Sequence, residues 1–183
     1  MNRTMLTLGI VIMVLAMVIG PFLSHPGYSS LSHTTSELAG QNMPHAWIMR
    51  IGFAAYGLSV ALSALNHFRA GPAVATGAIL FGLGLIGAAL WSSLPSDPTL
   101  GGTQPEDTIH SFFASALGTA FVFSCLSDII AARPTPRPLS WFCMVVSIVI
   151  PLTMLQFPDW DGLLQRAMFT ASYFWVWRQF ARP

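Results

Sequence analysis

The stretch MLTLGIVIMVLAMVIGPFL, residues 5–23, decides how the rest of this chain is read. A helix needs about 20 apolar residues to cross a bilayer, and this run supplies them just after a single basic residue, Arg3. A basic start and an apolar core would also suit a cleaved leader. The core is long for a leader, however, and the GPFLSHPG of residues 20–27 is a poor small-x-small cleavage site. The run therefore reads as a retained helix.

Outward from it the pattern repeats. Apolar runs, some slightly interrupted, occupy residues 46–68, 73–94, 108–132, 139–157 and 162–180. Of the 183 residues, 54% are hydrophobic and only 8% charged, and the connectors are short. Little is left for a soluble domain. The expected fold is all-α: one polytopic membrane domain over residues 1–183 with six transmembrane helices. A formal net charge of +1 provides no basic footprint for nucleic acid. Membrane lipid is the expected partner, with a membrane protein subunit or a second copy of the chain as further candidates.

All basic residues are arginines, and they sort by connector. With the N-terminus in the cytoplasm, that side receives Arg3, Arg69, Arg133, Arg137, Arg178 and Arg182, while the other receives only Arg50 and Arg166. This is the positive-inside bias, so the expected topology in the cell (inner) membrane has both termini cytoplasmic. The acids go the other way. Glu37, Asp97, Glu106, Asp107, Asp159 and Asp161 fall outside with His25, His33, His45 and His110, leaving Asp128 and His67 near the inner face.

Two features are structural. Cys125 and Cys143 lie within apolar helices and read as small packing residues. GLGLIG, residues 82–87, matches a dinucleotide-binding fingerprint but sits inside an apolar span, where no strand-to-helix turn aims amides at a pyrophosphate. Its glycines suit close helix contact, as do the small-residue pairs Gly84/Ala88, Ala114/Gly118 and Gly57/Ala61.

The outer connectors carry the chemistry-capable side chains. In SSLSHTTSELAGQNMPHAWIMR, residues 29–50, Thr34 and Glu37 form a capping-box pattern and Gly40 a plausible stop, predicting a short interfacial helix over 35–39. Asn42 and Pro44 then look like the cap and first turn of the second span. That start puts Arg50 roughly 9 Å into the helix, where a charge should be paired or face a wet cavity. Arg166 enters the last span by about one turn. Glu37, Asp159 and Asp161 are the expected partners of these two arginines, and the five residues together form a candidate site for an anionic ligand. The remaining tryptophans, such as Trp47 and Trp175, read as a membrane-interface belt.

The order GYSSLSHTTSELAG, a glycine-rich third span ending in LPSDP, then HSFFASALGTAF and finally GLLQR resembles the bacterial and archaeal domain-of-unknown-function family nine-nine-eight. The resemblance implies a six-helix integral membrane protein and no established activity. Two positions depart from the family's pattern. Gln165 stands where an acid usually precedes Arg166, and Leu94-Pro95-Ser96-Asp97 replaces a Phe-Pro-x-Asp element.

Three functional readings follow. The first is an accessory or ligand-binding membrane protein whose outer pocket takes a lipid head group or a partner subunit. The second is a metal-dependent membrane hydrolase acting on a lipid ester or amide, with zinc held by His33, Glu37, His45, Asp107 and His110. In that reading His33 and Glu37 share a face if the short helix starts early. The third is a secondary transporter, which ranks last because no charge stands mid-span. Against all three, the same acids and histidines serve equally well as caps and as hydrogen bonds that fasten loops to helix ends.

Overall fold

A computed structural model describes residues 2–181, which leaves Arg182 outside the described residues. Those residues form seven α-helices: α1 (Asn2–Leu23), α2 (Thr35–Leu38), α3 (Ala46–Asn66), α4 (Pro72–Leu90), α5 (Gln104–Ala131), α6 (Pro138–Met154) and α7 (Asp161–Phe180). Single 3-10 turns at Pro98–Leu100 and Pro158–Trp160 punctuate the connectors. Four helices, α1, α3, α4 and α5, are long and apolar enough to cross a membrane. Helix α6 is apolar but has only 17 residues. Helix α7 has 20, and its Asp161, Gln165, Arg166 and Arg178 make it more polar than the others.

Each long helix lies beside the next, and the residue pairings show that neighbours run antiparallel. Gly9 meets Ser59 while Gly52 meets Ala16 across α1 and α3. Gly77 meets Ser124, Gly84 meets Leu117 and Gly87 meets Phe113 across α4 and α5. Ser140 bonds Trp175 and Cys143 bonds Ala171 across α6 and α7. Helix α7 then closes the ring on α1, where Tyr173 donates to the sulfur of Met17. It also touches α3 through the 3.0 Å hydrogen bond between Tyr56 and Ser172. The middle is a chain of aromatic rings, Phe53, Phe169, Tyr173, Tyr56, Phe81, Phe121 and Trp175, in edge-on, tilted and stacked contacts.

The tightest seam is α3 against α4. A Cβ on Gly57 would stand 2.5 Å from the carbonyl oxygen of Gly82, and one on Gly82 would run into the Gly57 carbonyl and come within 3.0 Å of the Ala61 backbone. Lipid tails are as apolar as leucine, so helices in a bilayer gain little from burying apolar surface and rely on such close van der Waals contact. The Gly57/Ala61 and Gly84 positions thus do what their spacing suggested. Ala114 and Gly118 do not: a Cβ on Gly118 would meet nothing within 4 Å.

The short helix is present with its complete capping box. The Thr34 hydroxyl accepts from the Glu37 amide, and the Glu37 carboxylate accepts from the Thr34 amide. The start of α3 differs from expectation. Asn42 (φ 56) and His45 (φ 55) are both left-handed, so the chain turns twice before the helix begins at Ala46. Asn42 caps nothing; its amide donates to the Leu100 carbonyl across the connector. Arg50 consequently stands only about 6 Å into α3. Trp175 also departs from the interface belt: it is 1% exposed, deep in the bundle.

Candidate functional site

At the end of the bundle that carries α2, the connectors form a stitched roof. The two arginines expected to meet carboxylates instead bind main-chain carbonyls. Arg50 donates from Nε to Ala39 (3.0 Å) and from Nη2 to Gly40 (3.1 Å), closing the C-terminal end of α2. Arg166 donates from Nη1 to the carbonyls of Ser30, His33 and Gly162, and from Nη2 to the Tyr28 hydroxyl at 2.8 Å. Among the described residues neither arginine makes an ion pair. The reason is geometric. The connector of residues 24–45 passes within reach of both guanidinium groups, and its carbonyls there, mostly part-buried, need donors. Burial holds the Tyr28 phenol above its ordinary pKa, against the opposing pull of Arg166 beside it.

Gln165 grips the other end of α2. Its Oε1 accepts from the Thr35 amide (2.7 Å) and the Thr35 hydroxyl (2.6 Å). A glutamate would accept the same two bonds, so glutamine in its place keeps this anchor. It also replaces a second carboxylate oxygen with an NH₂ group, which has no partner among the described residues.

The expected metal set does not come together. No group of three or more His, Cys, Asp or Glu side chains suited to a metal occurs among the described residues. Thr34 is the extended N-cap of α2, so His33 lies ahead of the helix rather than one turn from Glu37. The His33 Nδ1 accepts from the Ser29 amide and the ring packs on Tyr28. Glu37 is engaged in the capping box. His45 is exposed on its left-handed turn. Asp107 accepts from the Leu94 amide, and Glu106 from the Ser92 amide. His110 must donate from Nδ1 to the Trp91 carbonyl (2.8 Å), which can only accept. These three side chains, from the first two turns of α5, hold the strap 91–94 that leaves α4. Gln41 completes the seam by binding Ser92 and both backbone groups of Thr103.

The remaining acids stand apart. Asp159 is exposed in its 3-10 turn, and Asp161 keeps one buried carboxylate oxygen without a partner. Asp97 accepts from the Thr99 amide and hydroxyl, bonds that hold its carboxyl below the usual range.

Beneath the roof lies a cavity of about 140 Å³ between α4, α5, α6 and α7. Each wall is one helix stripe. Phe81, Leu85 and Ala88 come from α4; Ala114, Leu117, Gly118 and Phe121 from α5; and Gln165, Met168, Phe169 and Ser172 from α7. Seven residues along α7 make the cavity about 10 Å deep. Helix α6 contributes Ser147 and Pro151. Pro151 has no amide hydrogen, so the Ser147 carbonyl lacks its helical donor. Ser36 and Gln165 form the polar end, and the other walls are mainly apolar. Helices α5 and α6 are fastened at the far end, where Ser140 bonds Asp128. Toward the roof they part, and the open space at Gly118 lies in this gap.

Sequence reasoning missed this cavity and the Asp128 cluster at the opposite end. Asp128 is 8% exposed. Its carboxylate accepts from Ser140, Ser140 accepts from the Trp175 indole at 2.9 Å, and Arg137 stands 3.6 Å away. The available signal was that Asp128 is the lone acid among the arginines of that end.

An all-helical protein with several membrane-length apolar helices, a polar roof and a cavity beneath it is the class defined here. The chain belongs to the family described as Protein of unknown function (DUF998), whose model matches residues 7–177. No curated protein and no solved structure matches it.

Proposed function

We propose that this chain is a six-span protein of the cell membrane, with both termini in the cytoplasm, that binds one lipid-class amphiphile in the cavity under its outer roof. Its role on this reading is that of an accessory or ligand-binding protein. The observation that carries it is the cavity itself. One end offers a free amide donor on Gln165 and the Ser36 side chain, the walls are apolar, and the side toward α6 stands apart from α5. An apolar cavity of ~150 Å³ takes a benzene ring, so this one suits the first carbons of a chain whose acceptor group meets Gln165. The rest of the chain would leave between α5 and α6 into the bilayer. Helix α7, although more polar than the other spans, carries its charged residues toward its two ends, turns Gln165 and Ser172 to the cavity and satisfies the mid-helix Thr170 hydroxyl on the Arg166 carbonyl. Helix α6 at 17 residues spans about 26 Å, close to a bilayer's hydrocarbon core of roughly 30 Å.

Filling the cavity tests the reading. Gly118→Phe places a ring in the open space at Gly118 without touching the roof. Lipid extracted from the purified variant should contain at least about tenfold less of the amphiphile retained by the unaltered protein, a loss equivalent to roughly 1.4 kcal/mol. Thermal stability should stay level or rise, because a void is filled. Equal retention of the same lipid by both proteins would refute the assignment.

A further inference from the structure

A second cavity, about 240 Å³, opens at the end opposite the roof and is lined by Asp128, Arg137, Leu139, Ser140, Trp175, Arg178 and Gln179. We infer that this cavity is a binding site for a phosphate-bearing anion, separate from the cavity under the roof. Two guanidinium groups and one carboxylate line it, an excess of one positive charge. The carboxylate is already committed: one oxygen of Asp128 accepts from Ser140, and the other faces Arg137. Ser140 is in turn held by Trp175 from the floor. That chain fixes Asp128 and draws Arg137 to the rim. The Arg137 Nε is buried with no hydrogen-bond partner and only a 3.6 Å approach to Asp128, too long to count as a hydrogen bond.

Arg178 is unbalanced. Among the described residues it has neither an ion pair nor a hydrogen bond, and it is exposed on the last turn of α7 beside Gln179. Arginine forks match the oxygens of a phosphate, and a neutral amide beside them supplies a further donor. The surroundings have the same sign. Arg3, packed over Trp177 at 5.3 Å, shares this end with Arg69 and Arg133, and Asp128 is its one described acid. Such an end attracts the anionic lipids of a cytoplasmic leaflet. The phosphate can thus come from a phospholipid head group or from solution.

Native mass spectrometry of the detergent-solubilised protein, titrated with phosphatidylglycerol and with phosphatidylcholine, tests the site. The anionic lipid should bind with at least about tenfold preference, and Arg178→Gln should weaken it roughly fivefold. Arg69→Gln, at the same end but outside the cavity, should change binding by less than about twofold. Asp128→Asn keeps the shape and the acceptor for Ser140 while removing the negative charge, so it should tighten binding. Displacement by millimolar inorganic phosphate would locate the source in solution. Lipid preference without displacement would locate it in the leaflet. Equal binding of both lipids with no effect of phosphate, equal losses in the Arg178 and Arg69 variants, or weaker binding in Asp128→Asn would each overturn the inference.

Discussion

Arg166→Ala is expected to be among the most damaging single substitutions outside the helix seams. The carbonyls of Ser30, His33 and Gly162 and the Tyr28 hydroxyl lose their bonds from the guanidinium at once, leaving His33 with the Tyr28 hydroxyl and Gly162 with its helical amide as donors. An unsatisfied buried polar group costs about 1–3 kcal/mol. Some of these groups will find water at the rim, so a total loss of about 3–5 kcal/mol is expected. For a chain of this size that lowers Tm by about 10 °C or more. Arg166→Lys should recover only part of the loss, because one ammonium cannot reproduce a planar fork bonded on two nitrogens. Tyr28→Phe should cost less, about 1 kcal/mol, since the Arg166 bonds to carbonyls survive. Thermal unfolding in detergent, followed by intrinsic fluorescence, checks the ranking. Equal stability of Arg166→Ala and the unaltered protein would mean that the roof is not fastened this way.

The second large effect falls at the α3–α4 seam. Gly82→Val inserts a branched side chain where even a Cβ collides with the Gly57 carbonyl and presses on the Ala61 backbone. Backbone atoms cannot rotate out of the way, so the helices must separate over the length of their contact. Overpacking costs about 1–3 kcal/mol where side chains can adjust, and here they cannot; the expected result is loss of folded protein on size-exclusion chromatography. Gly118→Ala is the matched control. Its new methyl meets nothing within 4 Å, and exchanging glycine for alanine in a helix favours the fold by about 1 kcal/mol. A stable Gly82→Val, or a Gly118→Ala that unfolds, would contradict the packing described.

These two positions show what the sequence made legible. The long helices are readable because a bilayer imposes a length, and runs such as 5–23 and 73–94 satisfy it in composition alone. The capping box of α2 is equally local: Thr34 and Glu37 are three residues apart and recognise each other's backbone. The partners of Arg50 and Arg166 were not legible. Carbonyl acceptors leave no mark in a sequence, whereas the carboxylates do. His33 and Glu37 looked like a shared face only while the helix boundary was free to move; once Thr34 is the cap, they separate. Asn42 looked like a cap because asparagine favours caps, but it favours left-handed turns as well, and the turn is what it forms.

Ala114 and Gly118 mark the limit most sharply. Small residues four apart signal close helix contact, and the same spacing on α4 does exactly that work at Gly84 against Leu117. On α5 the pair lines a cavity instead. Whether a small stripe receives a neighbouring helix or leaves space depends on where that neighbour is held. Helix α6 is tied to α5 at its far end through Ser140 and Asp128 and carries Pro151 where the two diverge. No window of sequence around Gly118 contains that information.

Electron cryomicroscopy of the protein in nanodiscs formed from its own membrane lipids tests the central claim most directly. The expected result is elongated density between α5 and α6, entering the cavity beside Gly118 and ending within hydrogen-bond distance of the Gln165 amide. Helices α5 and α6 closed on each other along their whole length, with side chains filling the space beneath Gln165, would contradict it.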